Sequence, residues 1–144
     1  MVKILFLDID GVLHSTGSDS THFTKLPLLE SFLREPATQD VLVVISSTWR
    51  EAYSLNSLRN FFAADIGPRI IDCTQPLDEY DSEYERGEEI ETWIAEHATG
   101  SNWVALDDSI EGFTPRLRHS VVFTVGTIGL TDSTIAELRT LLSQ

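Results

Sequence analysis

The sequence contains a single cysteine, Cys73, among its 144 residues. One cysteine cannot form a disulfide within the chain, and by itself it cannot build a cysteine-type zinc site. The lack of internal disulfides fits a reducing compartment. Long hydrophobic runs are also missing: the run at 4–7 is too short for the core of a secretion signal, and no later run approaches the roughly 18 apolar residues of a membrane span. We therefore expect a cytoplasmic protein with no membrane partner.

Basic residues are scarce as well: ten lysines and arginines stand against 23 aspartates and glutamates, which gives a net charge of −13. A surface of this sign repels nucleic-acid backbones and anionic lipid headgroups over most of its area. The composition therefore argues against strong non-specific binding of nucleic acid. A phosphorylated substrate would have to be attracted locally, and a bound cation is the simplest means.

Short apolar runs alternate with amphipathic stretches along the chain, which is typical of a parallel α/β sheet. We predict strands at 2–7, 41–45, 69–73, 103–106 and 121–125, and helices at 27–35, from 48 to about 64, up to about 100 and at 131–142. The capping-box spacing of Thr48 and Glu51 places the start of the second helix. Right-handed crossovers then give a three-layer, Rossmann-like fold, a five-stranded parallel sheet with helices on both faces. We expect one domain over residues 1–144, with a polar flap at about 14–25.

Carboxylates and hydroxyls follow three of the predicted strands, at the edge where open α/β sheets bind ligands. Asp8 and Asp10 follow the first strand, Ser46 the second, and Asp107 and Asp108 the fourth. In an extended chain, side chains at i and i+2 point the same way, so both carboxylates of the D-x-D-G motif can face one ligand. Mg²⁺ suits such a cluster of hard oxygen ligands, and no group of histidines and cysteines argues for zinc.

Four stretches of the sequence resemble the motifs of the haloacid dehalogenase-like (HAD) hydrolase superfamily, in the same order. FLDIDGVL resembles motif I, VLVVIS motif II, Arg86 at the head of a predicted helix motif III, and VALDD motif IV. Together they span nearly the whole chain. The stretches ISSTWR, RGEEIETWI and WVALDD are also similar to the capless phosphatase-like domain of multi-part RNA-repair proteins. The resemblance implies an HAD-like fold and a phosphatase that uses Mg²⁺.

The resemblance further implies a role for each matching residue. Asp8 would be the nucleophile that becomes a phospho-aspartyl intermediate, and Asp10 would act as general acid and then as general base. Ser46 would bind a phosphoryl oxygen, and Arg86 would stabilise the phosphoryl charge and hold the nucleophile. The Mg²⁺ would be bound by Asp8, by the backbone carbonyl of Asp10 and by Asp107. Asp108 would either bind the ion directly or contact one of the groups that bind it.

Neighbouring residues are further candidates for substrate binding. Gly11 permits a tight turn and the close approach of a bulky group. Ser47 and Thr48 compete with Ser46 for the phosphate, although either could instead cap the following helix. Arg50 could bind a substrate phosphate or lie solvated on that helix.

The intervals between the motifs leave no room for a cap domain, so we expect an open site. An open site favours large substrates, here the 3′ or 5′ phosphate of a nucleic-acid end. The alternative is a phosphatase of small metabolites or nucleotides whose lid comes from a neighbour in an oligomer. Outside the enzymes, a receiver-like signalling module or a metal-binding interaction domain would share the acidic site. In the flap, His14 and His22 could touch substrate, whereas Trp49 is predicted to pack.

Overall fold

All five predicted strands are present in the computed structural model, and they form one parallel sheet. The structure describes residues 2–17, 21–78 and 83–144. Each strand begins and ends within two residues of its predicted bounds. The strands are β1 (Lys3–Leu7), β2 (Val41–Ile45), β3 (Ile70–Cys73), β4 (Asn102–Asp107) and β5 (Val121–Phe123).

The strands lie across the sheet in the order β3-β2-β1-β4-β5. From β1 the chain winds outward through β2 to β3, and then crosses to β4 and β5 on the other side. Such a reversal opens a crevice beyond the carboxyl end of the first strand, where open α/β sheets bind their ligands. The topology therefore places a site next to the residues that follow Leu7.

Helices cover both faces of the sheet, because successive side chains of each strand point to opposite faces. In β1, Leu5 and Leu7 pack into a layer with α1, α2 and α4, whereas Ile4 and Phe6 pack against α3 on the other face. This arrangement confirms the predicted three-layer α/β fold. The helices are α1 (Leu26–Leu33), α2 (Leu55–Arg59), α3 (Glu85–His97) and α4 (Asp132–Leu142).

The prediction of one helix from 48 to about 64 is wrong, since the structure divides this stretch into two short pieces. A 3₁₀ turn over Thr48–Glu51 is capped by Ser47, whose Oγ accepts the backbone N–H of Trp49 at 3.2 Å. Helix α2 begins after Ser54, whose Oγ accepts the N–H of Ser57 at 3.2 Å. Serine side chains that bind nearby backbone N–H groups favour a new helix start over a continuous helix.

The segment predicted as a flap, 14–25, folds back toward the loop after β5. Thr16 donates both its backbone N–H and its hydroxyl to the carbonyl of Gly126, at 2.9 and 3.1 Å. Residues 18–20 of this segment lie outside the described residues. Within the described ranges, no separate cap domain lies over the crevice, as expected. No helix in the described part of the chain has the length and apolar character needed to cross a membrane.

Candidate active site

The register of the sheet brings the ends of β1, β2 and β4 to one level. Leu7 lies opposite Ile45 of β2 and Leu106 of β4. The backbone hydrogen bonds between the strands continue for one more residue. The N–H of Asp8 donates to the carbonyl of Leu106 at 3.0 Å, and the N–H of Ser46 donates to the carbonyl of Leu7 at 2.8 Å. The next residue after each of these aligned positions is buried, and together these residues form the floor of the crevice: Asp8, Ser46 and Asp107.

Three carboxylates meet at this floor. One oxygen each of Asp8, Asp107 and Asp108 lies within 4.8 Å of the others. Oδ1 of Asp8 accepts the N–H of Ile9 at 2.8 Å, and Oδ1 of Asp107 accepts the N–H of Ser109 at 2.9 Å, so both buried groups are held in place. A set of carboxylate oxygens alone is the donor chemistry that hard cations such as Mg²⁺ prefer.

Burial changes the acidity of two of these carboxyl groups. Burial, followed by repulsion from Asp107, raises the pKa of Asp8 to about 8. Burial also raises the pKa of Asp107 to about 6; Asp108 adds to this shift and Arg86 opposes it. Removal from water penalises the charged form of a carboxyl group, and neighbouring like charges add to the penalty. A divalent cation among these oxygens would relieve the repulsion.

Arg86, the second residue of α3, reaches between two of the buried acids. Its Nη1 is 3.4 Å from Oδ1 of Asp8, and its Nε is 3.5 Å from Oδ2 of Asp107. Nη1 also donates to the backbone carbonyl of Ser46. The guanidinium therefore contacts the ends of β1, β2 and β4 together and offsets part of their negative charge.

Ser46 carries a buried hydroxyl that has no hydrogen-bond partner among the described residues. Leaving such a group unpaired costs roughly 1–3 kcal/mol, so a ligand that accepts a hydrogen bond from this hydroxyl would be favoured here. Ser47 differs, because its Oγ is already used as the cap on Trp49. Ser47 therefore has the capping role that the sequence offered as its alternative to a substrate contact, and the hydroxyl of Ser46 remains the stronger candidate for a phosphate contact.

Gly11 makes room for the third acid of the cluster. Its φ is +78°, and a Cβ at this position would clash with the carboxylate of Asp108. A Cβ on Gly126 would lie 2.8 Å from Oδ2 of the same carboxylate. The group that approaches the Gly11 backbone is thus a side chain of the protein, whereas the sequence suggested a substrate group.

Asp10 is separate from the three-acid cluster, and its side chain is 52% exposed. Its Oδ1 lies 2.7 Å from Nε2 of His14, and its Oδ2 accepts the indole N–H of Trp49 at 3.0 Å. The structure thus places Asp10 at the rim of the crevice, between two aromatic rings. Metal binding through its backbone carbonyl stays a prediction. Neither contact was predicted from the sequence, which indicated only that His14 lies in the flap and that Trp49 follows β2.

Arg50 is the clearest departure from the expected substrate-binding set. Its two terminal nitrogens donate to both carboxylate oxygens of Glu89 at 3.0 Å each, and Nη1 also donates to the hydroxyl of Thr74 at 3.2 Å. The side chains of the ion pair are 10% and 5% exposed. The guanidinium is neither solvated nor available as an open cation; it connects the turn after β2 to α3.

A parallel α/β sheet with carboxylates at the ends of β1 and β4 is the architecture of an HAD-type hydrolase. Residues 4–135 match the family described as the HAD domain in Swiss Army Knife RNA repair proteins, and the chain belongs to this family. The resemblance seen in the sequence is therefore confirmed. No curated protein matches the chain. HAD enzymes generally use Mg²⁺, and the cluster of Asp8, Asp107 and Asp108 fits that ion.

Proposed function

We propose that the protein is a Mg²⁺-dependent phosphomonoesterase that acts through a phospho-aspartyl intermediate on Asp8. The observation that carries this proposal is the meeting of three groups in one crevice: the buried carboxylate of Asp8, the guanidinium of Arg86 and the unpaired hydroxyl of Ser46. Phosphoryl transfer depends mainly on positioning and on stabilising charge at the phosphoryl oxygens. A nucleophile, a cation and a hydrogen-bond donor at one place suit that reaction.

The proposed reaction has two steps. In the first, a carboxylate oxygen of Asp8 bonds to phosphorus while the bond from phosphorus to the leaving oxygen breaks. Asp10 gives its proton to that oxygen, so the leaving group departs as an alcohol. In the second, Asp10 takes a proton from water, whose oxygen bonds to phosphorus while the bond to Asp8 breaks. Inorganic phosphate leaves, and both carboxyl groups return to their starting states.

The acidic cluster makes the reaction dependent on a cation. Asp8, Asp107 and Asp108 would hold the Mg²⁺, which supplies positive charge against the phosphate and the carboxylates. Ser46 would donate its hydroxyl to one phosphoryl oxygen, and Arg86 would bind another while it remains in contact with Asp8. Because the carboxylates outnumber the single guanidinium, we expect substrate binding, as well as turnover, to need the metal.

We propose the phosphorylated end of a nucleic acid as the substrate. The family's description supports this choice, and so does the absence of a cap within the described ranges. Aromatic rings lie beside Asp10, where the leaving group would be: Trp49 stacks on Tyr53 at 5.3 Å between ring centroids, and His14 stacks on His22 at 4.7 Å. Tyr53 and His22 are exposed, and exposed aromatic rings are common stacking partners of unpaired bases.

The test is a phosphate-release assay with Mg²⁺ on 3′- and 5′-phosphorylated oligonucleotides, nucleotides, sugar phosphates and a generic aryl phosphate. We expect release that is abolished by EDTA and by Asp8→Asn but is retained in Glu137→Gln, an exposed carboxylate on α4 that serves as control. A preference for sugar phosphates or nucleotides would favour the small-metabolite alternative. No release from any substrate, or undiminished release in Asp8→Asn, would contradict the enzyme.

A further inference from the structure

We propose that His14 and Trp49 are positioning residues for Asp10, and that together they orient its carboxyl group for proton transfer to the leaving group. This inference rests on the proposed function, in which Asp10 is the general acid. Its basis is that both carboxylate oxygens of Asp10 have a partner. Oδ1 lies 2.7 Å from Nε2 of His14, and Oδ2 lies 3.0 Å from the indole nitrogen of Trp49. A half-exposed aspartate without such partners would sample several rotamers.

The backbone of Phe23 determines which nitrogen of His14 carries the proton. The N–H of Phe23 can only donate, and it lies 3.2 Å from Nδ1 of His14. Nδ1 must therefore accept, which leaves the proton of the neutral imidazole on Nε2. Nε2 is the atom next to Oδ1 of Asp10, so the ring acts as a donor to the carboxylate. His14 is only 2% exposed, so its ring is almost fully enclosed by protein, whereas the carboxylate of Asp10 is open to solvent.

Phe23 itself has a backbone conformation that is rare for a bulky residue. Its φ is +63°, in the left-handed region that residues other than glycine rarely adopt because of steric strain. A hydrogen bond from the N–H of Lys25 to the carbonyl of Leu13, at 2.8 Å, closes the segment around it. In this conformation its N–H binds His14 and its ring packs against Trp49, with centroids 5.3 Å apart. One strained residue thus supports both partners of Asp10.

A well-oriented general acid matters most when the leaving group is a strong base. Phenolate, released from phenyl phosphate, needs a proton as its bond to phosphorus breaks, whereas 2,4-dinitrophenolate needs almost none. General acid catalysis contributes roughly 10²–10⁴-fold to the rate. We expect a misoriented acid to lower the rate for the poor leaving group by about tenfold. The ratio of kcat/KM for phenyl phosphate to kcat/KM for dinitrophenyl phosphate therefore measures the positioning.

The kinetic test uses four variants in the full chain with Mg²⁺. His14→Leu removes the donor, and His14→Gln places an amide N–H at a similar reach. Trp49→Phe removes the indole N–H but keeps a ring, and Trp103→Phe is the matched control, because Trp103 packs on Phe6 in the other apolar layer. We expect the ratio to fall about tenfold in His14→Leu and severalfold in Trp49→Phe, to recover in His14→Gln, and to stay unchanged in Trp103→Phe.

A second readout is independent of turnover. Nitrogen NMR of the imidazole ring distinguishes a protonated nitrogen from a bare one. In mildly alkaline buffer we expect the proton of His14 on Nε2. We also expect the indole N–H resonance of Trp49, but not that of Trp103, to shift in Asp10→Asn.

The outcomes separate this inference from the proposed function. A ratio unchanged in both His14→Leu and Trp49→Phe, or a proton on Nδ1 of His14, would overturn the positioning role and leave the phosphatase standing. If wild-type protein released phosphate from neither aryl phosphate nor any other substrate of the panel above, both the positioning role and the phosphatase would be contradicted. Should the variants of buried His14 not fold, Trp49→Phe, at a partly buried position where another aromatic ring replaces the first, decides the kinetic question alone.

Discussion

Replacing Asp8 by asparagine should stabilise the metal-free protein at neutral and alkaline pH. Burial raises the pKa of this carboxyl group to about 8, whereas its ordinary value, which applies in the unfolded chain, is 3.8. Between these values the folded protein holds a proton that the unfolded chain has already lost. Raising the pH therefore stabilises the unfolded state relative to the folded state, and the free energy of unfolding decreases toward pH 8.

The size of this effect follows from the two pKa values. A difference of one bound proton changes the free energy of unfolding by about 1.4 kcal/mol per pH unit. With a folded pKa of about 8, half of the folded molecules have lost this proton at pH 8. The free energy of unfolding therefore decreases by about 2 kcal/mol between pH 6 and pH 8. Asp107, whose folded pKa is about 6, loses most of its contribution below this window. The amide in Asp8→Asn does not titrate, so that variant lacks this source of the decrease.

Urea unfolding in EDTA at pH 6 and pH 8 measures the difference directly. Wild type should lose about 2 kcal/mol between the two pH values, and so should Glu137→Gln, which removes an exposed carboxylate instead. Asp8→Asn should lose much less. Equal decreases in wild type and Asp8→Asn would contradict this prediction, because the proton would then belong to another group.

Two further substitutions separate the metal site from the phosphate site. Gly11→Ala should weaken Mg²⁺ binding in a calorimetric titration by roughly 10–100-fold, because the new Cβ would displace Asp108. Gly100→Ala, with a φ of +84° and open space around it, should bind Mg²⁺ like wild type, and equal affinities in both variants would contradict this use of Gly11. Ser46→Ala should lower kcat/KM about 10²-fold and raise the stability of the ligand-free protein by about 1 kcal/mol, because it removes a buried hydroxyl that has no partner among the described residues. Ser47→Ala should instead lose about 1 kcal/mol of stability with its cap. The opposite pattern would assign the phosphate to Ser47.

The sheet could be predicted from the sequence because its three central strands are largely buried on both faces. Such strands appear as continuous apolar runs, as in Val41–Ile45, and they end where a polar residue follows. Parallel strands also have their carboxyl ends at one edge. The proximity of Asp8 and Asp107 is therefore a consequence of topology and register rather than of any local spacing.

Contacts that depend on how loops fold could not be predicted in this way. The ion pair of Arg50 with Glu89 joins residues 39 positions apart, and neither residue's neighbours indicate the other. His14 follows Asp10 by four positions, a spacing that brings side chains together in helices, yet the segment between them is a turn with Gly11 at positive φ. The role of the Phe23 backbone likewise depends on a conformation that its residue type disfavours.

The proposed mechanism requires Asp8 to accept the phosphoryl group. Mass spectrometry of protein quenched in acid during turnover with Mg²⁺ tests this step. We predict one added phosphoryl group on the peptide that contains Asp8, and none on the same peptide from Asp8→Asn. Turnover with the phosphoryl group on a different residue, or with no phosphorylated protein under conditions where the intermediate should accumulate, would contradict the claim.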